Sequence, residues 1–200
     1  MSIAELEPVA VVDLVGEEVH LDSDTAILEL VNGVRVEKKV GARQMEVASI
    51  LLQILGAFAK NNRLGKVTME MPFVIDAVRR TWRKPDVSFV SARRWPIGKA
   101  VPYRAVWDIV PELAVEVISP SEFAEDSLTK VRDYFKAGVE NVWLIYPSLK
   151  VIHVFESFTS IRVLTEDDIL DGGAIVPGFS LSLKELFEGE EDETETVPQA

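Results

Sequence analysis

Residues 111–121 read PELAVEVISPS: Glu112 opens the run, and a second charge, Glu116, sits inside its apolar part. Leu113 to Ile118 has the length and apolar content of a buried strand, closed by Ser119-Pro120. Glu116 interrupts it. A carboxylate inside a buried strand is costly unless it is paired or bound to a cation. The next run, Ser121 to Ala137, has the period of a helix, with Leu128, Val131 and Phe135 on one face and Gly138 as its stop. Asn141 to Tyr146 is another short strand. A strand with an acid inside it, then a helix, then a strand, calls for a sheet with helices packed on it.

The rest of the chain extends that reading. AILELVNGVRVEKK predicts a β-hairpin around Asn32-Gly33. Arg43 to Lys60 predicts a helix, its stripe formed by Val47, Ile50, Leu51, Ile54 and Phe58. Lys66 to Ile75 and Asp86 to Val90 alternate as strands. Residues 91–111 hold three prolines and read as a long loop. Val151 to Glu156 and Ile161 to Thr165 are further strands, followed by a Gly-rich turn at 171–173 and a short amphipathic helix, LSLKELF. The fold class expected is α/β, or α+β with a mixed sheet, in one domain with short appendages.

Composition narrows the chemistry. The chain has no cysteine, which excludes disulfides, thiolate metal sites, iron–sulfur clusters and a Cys nucleophile. With only His20 and His153, a His-rich metal site or a Ser-His-Asp triad is not expected. No stretch has the ~18 apolar residues of a membrane span, and Glu5 and Glu7 do not suit a signal peptide, so a cytoplasmic protein is expected. The formal net charge is −12, which on its face argues against nucleic acid. The charge is uneven, however. Half of it lies in six acids from Glu188 to Glu195, within a stretch (188–200) that reads as a solvated acidic tail. The window from Arg79 to Arg104 has the opposite sign. It holds Arg79, Arg80, Arg83, Lys84, Arg93, Arg94, Lys99 and Arg104 against the lone acid Asp86, with Trp82, Trp95 and Tyr103 interleaved. Clustered bases and flat side chains suit a phosphate backbone and unstacked bases.

The candidates for chemistry are Asp86, Glu116 and Lys130. Asp86 follows Pro85 at the start of a strand. Two carboxylates on adjacent strands can share a hard divalent ion, completed by a main-chain carbonyl and water. Lys130, on the helix that follows, can orient or help deprotonate a metal-bound water and stabilise charge developing on a phosphate. Each residue also has a plainer role open to it. Asp86 can cap a turn or pair with Arg83 or Lys84, Glu116 can pair with an arginine, and Lys130 can pair along its helix with Asp126 or Tyr134.

KPDVSFV, then PELAVEVISPS, then Lys130 with VRDYFKAGVENVWLIYP, resemble the Uma-two family, bacterial proteins described as restriction endonucleases within the PD-(D/E)XK nuclease superfamily. The resemblance runs from about Ala26 to Phe187. It leaves residues 1–25 as an N-terminal extension and 188–200 as the tail. It implies a restriction-endonuclease-like αβββαβ core, with an N-terminal hairpin and extra C-terminal strands. It also implies Asp86 and Glu116 as ligands of Mg²⁺ (or Mn²⁺). The chain departs from the superfamily pattern in two places. Ile118 stands where a lysine is expected two residues after the second acid, and the basic role falls to Lys130. Gln44 stands at about the place where relatives often carry His, so no acid–base role remains there. Glu37 and Glu70 are reserve acids.

The function expected is therefore a Mg²⁺-dependent DNA endonuclease. Asp86, Glu116 and the Val117 carbonyl would bind the ion, Lys130 would position the water, and the bases Arg79, Arg80, Arg83, Lys84, Arg93 and Arg94 would hold phosphates. No small organic cofactor is expected. A homodimer suits the cutting of two strands. Two other classes remain open: a catalytically inactive nucleic-acid-binding module on the same fold, and an interaction protein whose acidic tail meets a basic partner.

Overall fold

The computed structural model describes residues 28–37, 41–103 and 106–188. The extension at 1–25, the tail beyond Glu188 and Arg104 lie outside the described residues. Among the described residues, twelve strands and three α-helices follow in chain order. The first pair, β1 (Leu28–Val31) and β2 (Val34–Glu37), forms the expected antiparallel hairpin. Its turn has φ of 52° at Asn32 and 78° at Gly33, the two positive values that an Asn-Gly hairpin turn requires.

Helix α1 (Ala42–Asn61) follows and buries Val47, Ala48, Leu51, Leu55 and Ala59. That line is rotated from the expected stripe. Ile50, Ile54 and Phe58 flank it and are partly buried, because small Ala48 and Ala59 let the helix sit close to the sheet. The single strand expected over Lys66 to Ile75 is in fact two, β3 (Gly65–Met69) and β4 (Phe73–Asp76). Glu70 adopts φ of 52°, and Pro72 brings no N–H to a ladder, so the chain turns out of one sheet and into another. Strand β5 (Thr81–Arg83) falls within the basic window and was not expected. It pairs with both β4 and β1, giving a four-stranded sheet in the order β2-β1-β5-β4.

The main sheet has six strands. Its order is β10-β9-β8-β7-β6-β3, made with β6 (Val87–Ser91), β7 (Leu113–Val117), β8 (Asn141–Tyr146), β9 (Val151–Ser157) and β10 (Ser160–Leu164). Only β7 and β8 run parallel, and helix α2 (Ala124–Ala137) connects them. Taken in sequence, α1, β3, β6, β7, α2 and β8 form the αβββαβ core. Alternation along β7 divides the core into two layers. Leu113, Val115 and Val117 face α1, while Ala114, Glu116 and Ile118 face α2.

Helix α2 presents Ser127, Val131 and Tyr134 inward rather than Leu128, Val131 and Phe135; Leu128 is exposed. The polar Ser127 and Tyr134 are buried because each finds a carboxylate partner, Glu122 and Glu116. Gly138 closes the helix at φ of 96°, and Val139 N–H reaches back to the Tyr134 carbonyl. The end of the chain also differs from expectation. Ser180–Ser182 is a strand (β12) paired with β11 (Ile169–Asp171), and only Leu183–Phe187 is helical (α3). No helix among the described residues is long and apolar enough to cross a membrane.

Candidate active site

A cleft of about 420 Å³ opens where the C-terminal end of β7 meets the start of β6, the beginning of α2 and the β1–β2 hairpin. Asp86, Glu116, Val117, Lys130 and Arg83 all line it. Asp86 is 5% exposed and sits immediately before β6. Its Oδ2 accepts the Val117 backbone N–H at 2.6 Å, so the backbone of β7 orients the first acid beside the second. Val117 therefore meets Asp86 through its amide.

Glu116 is 1% exposed, on the α2 face of β7. Lys130 Nζ lies 3.2 Å from its Oε2, and the Tyr134 hydroxyl donates to its Oε1 at 2.5 Å. Lys130 also reaches Glu122, at 3.4 Å. Tyr134 is wholly buried. That burial, then the charges of Glu116 and Glu29, push its hydroxyl well above the ordinary tyrosine range, so it stays a neutral donor.

Arg83 does not face open solvent. Its guanidinium bonds Glu29 Oε2 at 2.8 Å and Asp133 Oδ2 at 2.6 Å. Burial alone would lower its pKa, but those two carboxylates outweigh it and raise the group above its ordinary value. Glu29 closes the network by accepting the Lys84 backbone N–H. This network joins β1, β5 and α2, and so fastens the small sheet over the cleft.

Among the described residues, the other bases of the 79–104 window lie outside the cleft lining. Arg79 and Arg80 form the tip of the β4–β5 turn, and Arg79 pairs with Asp76. The Lys84 side chain pairs with Glu70. Arg93 and Arg94 meet Glu112 and Glu140 at the far end of β6. The five residues of β6, four steps of ~3.3 Å or about 13 Å, separate that end from the end next to Asp86. Among the described residues, the window spans the β4–β5 turn, β5, β6 and the loop that follows.

Glu29, Glu122, Asp133 and Tyr134 are site residues that the sequence reading did not single out. Tyr134 carried a faint signal, since it stands one helical turn from Lys130. Gln44 does line the cleft, 8% exposed, near the start of α1. Among the described residues, no group of three or more His, Cys, Asp or Glu is arranged to hold a metal. The oxygen donors of Asp86 and Glu116 nonetheless fit a hard divalent cation, because Mg²⁺ commonly takes one or two carboxylates and keeps its waters. The cleft lining carries the carboxylates Glu29, Asp86, Glu116, Glu122 and Asp126 against the cations Arg83 and Lys130, an excess that also favours a bound cation.

Three comparisons with known proteins bear on this site. Among solved structures, the chain is similar to one described as "a putative nuclease belonging to DUF820 from Anabaena variabilis ATCC 29413". The TM-score is 0.70 and the identity 19%, over 80% of this chain and 89% of that one, a likeness of fold. No curated protein matches the chain. The family model Uma2, described as "Putative restriction endonuclease", matches residues 17–184. With most of its length matched, and the αβββαβ core in place, this chain belongs to the Uma2 family.

Proposed function

We propose that this protein is a divalent-metal-dependent DNA endonuclease whose active site is the cleft at the end of β7. The observation that carries this reading is that Asp86, Glu116 and Lys130, from a loop, a strand and a helix, all line that one cleft. Asp86 and Glu116 would hold Mg²⁺ or Mn²⁺. A bound ion of this kind supplies Lewis acidity and a water nucleophile at neutral pH. The chain's own residues do the rest. The Val117 N–H holds the Asp86 carboxylate in place. Lys130, between Glu116 and Glu122, orients the attacking water and offsets negative charge on the phosphate. Arg83 ties down Glu29 and Asp133 and keeps the small sheet over the cleft.

Two observations favour a second reading, a nucleic-acid-binding module without catalysis. Lys130 already has two carboxylate partners, and Gln44 in the cleft has no titratable group. Plasmid nicking separates the two. Wild-type protein should cleave supercoiled plasmid with Mg²⁺ or Mn²⁺ and stop in EDTA. Asp86→Ala should abolish cleavage, and Lys130→Ala should slow it by about 10²–10⁴-fold. Equal cleavage by wild type and both variants overturns the assignment. DNA binding without cleavage under either ion selects the second reading.

A further inference from the structure

We infer that Tyr134 is a positioning residue, whose buried hydroxyl fixes the Glu116 carboxylate in the orientation that presents it to the cleft. The inference rests on reading Asp86 and Glu116 as ligands of a divalent ion. Glu116 stands on the α2 face of β7 between Ala114 and Ile118, both buried and apolar. In such a wall it is polar contacts that hold a carboxylate at a set angle. One oxygen takes the Tyr134 hydroxyl and the other takes Lys130.

These two partners are not equivalent. Lys130 has a flexible stem, partial exposure and a second acid, Glu122, within 3.4 Å. It can move from one carboxylate to the other. The Tyr134 ring is wholly buried among Ala114, Val131, Val142, Leu144 and Phe155, so its hydroxyl has no such freedom. A side chain locked by packing that donates to a ligand carboxylate orients the ligand, and loss of such a partner commonly costs about 10–100-fold in metal affinity. Tyr134 and Asp133 are also neighbours on α2, so the Arg83–Asp133 bond holds the same helical turn in place.

The test uses the full chain and Mn²⁺ alone. Tyr134→Phe removes only the hydroxyl, and calorimetry should show Mn²⁺ bound about tenfold more weakly. Val131→Ala thins the same apolar cluster but keeps the hydroxyl, and should keep the wild-type affinity. The inference is overturned if Tyr134→Phe binds within twofold of wild type, or if Val131→Ala weakens binding as much. Wild type that binds no Mn²⁺ overturns the metal reading, and this inference with it. A second measurement needs no variant. With ¹³Cζ-labelled tyrosine the protein has three signals, and the buried Tyr134 signal should shift on Mg²⁺ addition. A Tyr134 signal unmoved at saturating Mg²⁺ also overturns the inference.

Discussion

At the residue scale, the buried charges of this protein differ in how visible they are in the sequence. Glu116 stands out because it breaks an apolar run. Glu29 does not, although it is 2% exposed. In an isolated two-strand hairpin, Glu29 reads as a residue of the solvent face. It becomes buried only because β5 pairs with β1, Leu30 opposite Trp82, and brings Arg83 to it. Arg83 shows the same effect with the opposite charge. Read locally it belongs to a basic patch, yet in the fold it is 4% exposed between two acids. Removing one partner of such a network leaves the others buried without compensation. Arg83→Met should therefore cost about 3–5 kcal/mol in urea unfolding. Pairing it with Glu29→Gln should recover part of that loss. A loss under ~0.5 kcal/mol, the scale of an ordinary surface substitution, would mean the network does not hold the sheets together.

Helix α2 shows the same contrast at the element scale. Its existence and its end were legible, because helical period and a C-terminal glycine are local signals. Its orientation was not. Hydrophobicity alone points Leu128 and Phe135 inward, whereas the observed face is Ser127, Val131 and Tyr134. Two polar residues take the innermost positions, leaving Leu128 exposed and Phe135 half-buried at the edge of the cluster, because acids on neighbouring segments await their hydroxyls. That rotation carries Lys130 to the cleft. The helix stop makes a separate prediction. Gly138 has φ of 96°, and a Cβ there would meet nothing within 4 Å. Gly138→Ala thus adds backbone strain alone, about 1–2 kcal/mol. Melting should fall by about 2–4 °C per kcal/mol, with Mn²⁺ affinity unchanged.

At the scale of the whole molecule, the net charge of −12 is a poor guide to partners until the charges are located. Five acids line the cleft against Arg83 and Lys130, while Arg79, Arg80, Arg93 and Arg94 lie away from its lining. A DNA phosphate entering the cleft meets an excess of carboxylates, so a bound cation is what makes its approach favourable. Fluorescence anisotropy with a labelled duplex should show weak binding in EDTA. Binding should be tighter by at least about tenfold in Ca²⁺, a difference of ~1.4 kcal/mol. Equal affinity in both buffers would place the DNA on another surface. Whatever binding remains in EDTA should weaken steeply with added salt if it is made through charge to phosphate.

The sequence by itself determined the hairpin at Asn32-Gly33, helices α1 and α2, the strands of the core and the suspicion attached to Asp86, Glu116 and Lys130. Period, turn chemistry and a misplaced charge act over a few residues, so they can be read without the fold. Tertiary structure decided the division of 65–76 between two sheets, the strand at Thr81–Arg83, the face of α2, and the partners of Glu29, Arg83 and Tyr134. Each depends on which distant segment pairs with which, as when Arg83 meets Glu29 across 54 positions. No local pattern encodes that choice. It is made by the burial and hydrogen bonding of the assembled sheets.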